Sequence, residues 1–141
     1  MSRSGYVDDL DDWSMIKWRG AVASAVNGRR GQAFLQDLAA ALDAMPDKRL
    51  AAGSFKHTNG CHCTLGVLAS ARGIDTSLFD RDPDDLDNEA VAESFGIAPS
   101  MAREIMFFND EAYSYECALS ADPDAKRWEL MRAWISDQIH A

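Results

Sequence analysis

A chain of 141 residues has room for one domain of ordinary size and not for two, and its 47% apolar, 26% charged composition argues against a disordered, collagen-like or membrane-embedded chain. Three cysteines are an odd number and no disulfide framework, so reduced thiols and a cytoplasmic setting are expected. The net charge of −9 is unevenly spread, since residues 1–74 hold nine bases against seven acids whereas residues 75–141 hold five against sixteen, and this balance disfavours non-specific nucleic-acid binding.

Residues 1–12 lack a hydrophobic period and are acidic, unlike a basic-then-apolar leader; they read as a loose arm ahead of a single domain over 13–141, with Asp11 or Asp12 placed to cap the first helix. Trp13, Ile16, Val22 and Val26 predict an apolar stripe over 13–26, and Asn27-Gly28 a left-handed stop. The pattern over 29–45 is stronger, with Phe34, Leu38, Leu42 and Met45 at steps of four and three before Pro46 ends it. Over 50–65 the period changes. Thr58-Asn59-Gly60 is a turn signal, Cys61 to Leu65 are strand-compatible, and a small β-hairpin is expected, with Cys61 and Cys63 on one face and His62 on the other. A helix over 65–72 closes on Gly73, and a polar loop follows over 75–88. Then come a helix over 89–95, a corner at Gly96-Ile97, a helix over 99–109 started by Pro99, and a last helix opened by Asp122-Pro123-Asp124 with Trp128, Met131 and Ile135 as its seam. The expected fold is mainly α with a β element (α+β), a compact single domain of five to six short helices with one small β-hairpin.

The densest charge lies over 75–93, which holds eight acids and one base. Asp80, Asp82, Asp84, Asp85, Asp87 and Glu89 form an acidic surface able to imitate nucleic-acid phosphate and to occupy a basic groove on a partner. A calcium loop is not specified, because the sixth of twelve positions counted from Asp82 is Asp87 and not glycine. His57, Cys61, His62 and Cys63 are the one cluster of soft ligands, but one residue between the cysteines is poor zinc spacing, so no metal is assigned. No phosphate-cradling loop, nucleophile elbow or paired-histidine helix is present, and neither an enzyme nor a cofactor is expected.

Residues 91–105 resemble the helix-turn-helix signature of bacterial and phage regulators: Ala92 at the crossing, Gly96 at the corner, Ile97 behind it, and Ala102 and Ile105 on the inner face. Ser100 and Arg103 would then be the DNA-reading residues, on a surface otherwise poor in base-reading side chains. More broadly, Arg30 to Leu35, Ala41 to Leu50, Ala71 to Asp75, Phe95 to Ala98 and Glu104 to Met106 resemble small uncharacterised proteins encoded in phage and prophage genomes. That resemblance implies a setting in a bacterial host and no catalytic residues. The expectation is an accessory phage protein that binds and modulates or inhibits a host protein without catalysis, such as a defence component, through the acidic face or an aromatic patch. The alternative is a helix-turn-helix transcriptional regulator.

Overall fold

The computed structural model describes Ser4 and residues 12–56, 60–77, 79 and 87–140. In chain order these form α1 (Asp12–Asn27), α2 (Arg29–Asp43), α3 (Thr64–Arg72), α4 (Asn88–Phe95), α5 (Pro99–Phe107), a π-helical turn over Phe108–Ala112, α6 (Ser114–Leu119) and α7 (Pro123–Gln138). No helix among the described residues is long and apolar enough to cross a membrane.

The core follows the apolar spacing. Phe34, Leu35, Leu38 and Leu42 of α2 are buried against Leu65, Leu68 and Ala69 of α3, Met101, Ala102, Ile105 and Met106 of α5, and Met131, Trp134 and Ile135 of α7. Close approach is built in by glycine: a Cβ on Gly31 would stand 1.9 Å from the Ala25 carbonyl oxygen, and one on Gly66 would stand 2.1 Å from that of Phe55. Phe108 of the π turn stacks on Trp134 at 4.8 Å, which ties α7 to the end of α5.

The expected hairpin is absent: the described residues are all-α, and among them the two expected strands are joined by an isolated antiparallel bridge, Lys56 to His62, and by the Ala51 N–H donating to the His62 carbonyl at 2.9 Å, with no ladder. The α+β assignment is therefore corrected. The cause lies in where the backbone groups of this segment find partners, because each buried N–H and C=O must find one somewhere. The Leu50 N–H donates to the Asp124 carbonyl and the Leu50 carbonyl accepts from Arg127. The Ala51 carbonyl accepts from Asn109 Nδ2, and the Gly53 N–H donates to Asp110 Oδ1. With α7 and the π turn supplying partners, no ladder forms. Cys63 then stops any second strand by capping α3, its Sγ accepting from the Gly66 N–H, so Cys61, His62 and Cys63 do not alternate across a strand.

Two further expectations are corrected. The stripe on α1 faces inward only at its C-terminal end: Val26 is buried and Val22 half-buried against the core, whereas Trp13 and Ile16 are exposed. Gly28 is not left-handed either; at φ −70° it is the extended N-cap of α2. The helix from Pro99 stops being α-helical at Phe107 and continues as the π turn.

Candidate functional site

The site is assembled at the corner between α4 and α5. Asp87 caps α4, its Oδ1 accepting from the N–H groups of Glu89 and Ala90 at 3.0 and 3.2 Å. A helix N-terminus favours negative charge, and Glu89 adds a second carboxylate in the first turn. Glu93 lies one turn further on, and all three acids are exposed. Gly96 closes α4 in the left-handed conformation at φ +71°, and the Ile97 N–H returns to the Ala92 carbonyl at 3.0 Å, the pattern that reverses the chain after a helix. Ala98 and Pro99 then launch α5, and Ile97 is buried beneath the corner.

This corner brings together two sets of residues that the sequence suggests for different roles. Asp87, Asn88 and Glu89 share an open cleft of about 370 Å³ with Pro99 and Arg103. Arg103 makes no ion pair there among the described residues, and neither do Asp87, Glu89 and Glu93. The Oδ1 of Asn88, in the same wall, is buried with no hydrogen-bond partner among the described residues. Ser100 is turned away: its hydroxyl donates to the Ala21 carbonyl of α1 at 3.4 Å. One turn along α5, burial raises the pKa of the half-buried Glu104 above the usual carboxylate range.

Several acids elsewhere are paired with arginines. Arg132 holds Asp43 with two hydrogen bonds at 2.8 and 2.9 Å, Arg49 pairs with Asp122, Arg72 with Asp37 at 3.0 Å, and Arg127 with Asp124 at 2.8 Å. The arginine donating to Asp43 and its positive charge keep that carboxyl below its ordinary pKa. Arg49 and Asp122 come from opposite halves of the sequence, so part of the C-terminal negative charge is cancelled by the N-terminal half.

Asp80, Asp82, Asp84 and Asp85 lie outside the described residues, as does His57. Cys61 and His62 line a separate cleft of about 320 Å³ with Met45, Pro46, Asp47, Arg49, Val67 and Ser70. His62 turns Nδ1 to the Phe55 carbonyl at 3.3 Å, and Cys63 is buried at the start of α3. Among the described residues no three His, Cys, Asp or Glu side chains are grouped so as to hold a metal ion.

Sequence reading passed over Asn109, the buried hub of the polar network beneath this region. Its neighbours Phe108 and Asp110 gave no periodic signal to mark it. Comparison with known protein families, with curated proteins and with solved structures finds no match to this chain.

Proposed function

We propose that the chain is a non-catalytic binding protein of phage origin, which docks its acidic α4 face into a basic groove on a host protein and thereby modulates or inhibits it. The observation that carries this reading is the concentration, on the first turns of one helix, of acids unpaired among the described residues. Asp37, Asp43, Asp122 and Asp124 are held by arginines, whereas Asp87, Glu89 and Glu93 face solvent without a basic partner among the described residues. Unneutralised like charges on one helix face repel one another and are relieved by a partner of opposite sign. Asp80, Asp82, Asp84 and Asp85, immediately before this helix in sequence, would extend the same surface.

The test is capture of the host protein by the tagged chain from cells of the phage host, compared with a triple variant Asp87→Asn, Glu89→Gln, Glu93→Gln. Asparagine caps a helix as well as aspartate, so the variant removes charge and keeps α4. Capture is expected to fall about tenfold in the variant and to weaken as salt is added. Equal capture by both proteins at low salt rejects the reading.

The corner between α4 and α5 favours a second reading, the helix-turn-helix regulator. Against it, Ser100 is engaged by α1 and Arg103 shares its cleft with Asp87 and Glu89, which would repel a phosphate backbone. A sequence-specific gel shift that is lost with Arg103→Ala at physiological salt would replace the first reading by this one.

A further inference from the structure

Four large apolar side chains stand out of the surface: Trp13 and Ile16 on α1, and Tyr115 and Leu119 on α6, between 63% and 73% exposed. Each pair is spaced three or four residues apart, so each lies on one face of its helix. Ser100 at the start of α5 touches Ala21, while Ser24 and Ala25 share a cleft with Ala98 and Met101, so α1 runs antiparallel to α5. The Trp13 end of α1 is therefore directed toward the C-terminal end of α5, from which the π turn leads into α6.

The charges around the two faces are opposite. Asp8, Asp9, Asp11 and Asp12 precede Trp13 in sequence, but from Trp13 to the end of α1 the only charged residues are Lys17 and Arg19, and Arg29 and Arg30 open α2. The Lys17 ammonium lies 5.2 Å from the centre of the Trp13 ring, and Lys17 and Arg19 are exposed with no ion pair among the described residues. On the other face Glu116 is exposed beside Tyr115, with Asp137 nearby on α7. The phenol of Tyr113 reports this negative surrounding: its pKa is raised by burial first, and then by Asp137 and Glu116.

We propose that two copies of this chain associate as a two-fold dimer in which α1 of each copy covers α6 of the other, Trp13 and Ile16 packing on Tyr115 and Leu119 while Lys17 and Arg19 face Glu116. A two-fold axis makes every such contact twice, so a basic apolar face and an acidic apolar face on one chain complement each other completely. A second copy fits better than an anionic membrane or nucleic acid, because Tyr115, Leu119 and Glu116 would be left uncovered by either. Exposed tryptophan and tyrosine, with Arg19 on the same helix as the former, match the composition of binding hot spots. The α4 face stays free for its own partner, and the dimer does not depend on the function proposed for it.

The test is sedimentation equilibrium of the full chain across a wide concentration range. Wild type is expected to pass from the mass of one chain to that of two. Trp13→Ala is expected to weaken association more than tenfold, with an unchanged melting temperature at concentrations where the wild type is a single chain, because the ring is largely exposed there. Lys17→Glu and Glu116→Lys are each expected to weaken it about tenfold. Mixed in equal amounts they recover it, since the reversed α1 of one then meets the reversed α6 of the other. A single-chain mass at every concentration overturns the proposal, and so does a mixture that associates no better than either variant alone.

Discussion

Asn109 shows how one side chain replaces a stretch of secondary structure. An asparagine amide offers two donors and two acceptor lone pairs, and here all four are used. Its Oδ1 accepts from the Thr64 N–H at 3.0 Å and the Thr64 hydroxyl at 2.7 Å, while Nδ2 donates to the Ala51 carbonyl at 2.9 Å and to Asp110 Oδ1 at 2.8 Å. The π turn makes this possible, because the extra residue per turn swings a position that would continue along α5 into the gap between α3 and the chain around Ala51. Cutting the amide back to a methyl leaves the Thr64 N–H and the Ala51 carbonyl without these partners in a site that is 3% exposed. Asn109→Ala is expected to lower stability by about 2–4 kcal/mol, since each orphaned buried group costs about 1–3 kcal/mol. Urea unfolding checks this: the midpoint should drop while the slope stays the same. A loss below half a kilocalorie would mean that the network is replaced by water at no cost.

Among the elements, the helix-interior glycines separate packing from propensity. Gly66 sits where α3 runs against the Phe55 backbone, and a Cβ there would meet its carbonyl oxygen at 2.1 Å. Gly20, in the middle of α1, has nothing within 4 Å of a Cβ. The same substitution should therefore have opposite signs. Gly20→Ala is expected to stabilise by up to about 1 kcal/mol, the difference in helix propensity, and Gly66→Ala to destabilise by about 1–3 kcal/mol through overpacking. Thermal melts of the two variants beside wild type decide it, and a shift in the same direction for both would refute the packing account of Gly66.

Six of the seven α-helices of the described residues were legible because apolar residues at steps of three and four mark a buried face, as Phe34, Leu38 and Leu42 do on α2, whereas α6, six residues long with Cys117 alone buried, has no such period and was not read. The stretch over 50–65 was misread because turn residues and short apolar runs look alike whether backbone groups pair in a ladder or with side chains of distant elements. Nothing local in Leu50, Ala51 or Gly53 announces Arg127, Asn109 or Asp110 as partners. On α1 the period was real but only its C-terminal half, Val22 and Val26, meets the core, since spacing says which residues share a face and not how much of that face is covered. At the candidate site, the surplus of acid was legible as a count. Which acids meet an arginine is a matter of tertiary contact, and so is the meeting of Arg103 with Asp87 and Glu89 in one cleft.

For the whole molecule, ion pairs join the two halves of the sequence. Arg132 of α7 grips Asp43 at the end of α2 through Nε and Nη2, the two-point geometry that makes an arginine–carboxylate pair strong, and the Arg49–Asp122 pair lies at the start of α7. The Asp43 carboxyl is more acidic folded than unfolded, chiefly because of the Arg132 hydrogen bonds. Its contribution to stability is thus fully present above the unfolded pKa and is lost as pH falls through the folded one. Glu104 acts in the opposite sense: burial raises its folded pKa, so its ionisation costs stability once pH rises past the unfolded value, and acid relieves that cost. Stability at low pH therefore reflects both groups, and the pair is isolated only by difference. Arg132→Met keeps most of the side chain's packing and removes the charge; because Asp43 is about half exposed, solvent screening limits the expected loss at neutral pH to about 0.5–1 kcal/mol. The gap between variant and wild type should close as pH is lowered through the folded pKa of Asp43, when wild type loses the same interaction by protonation. A gap that stays constant into strong acid would assign the loss to packing of the arginine stem and not to its charge.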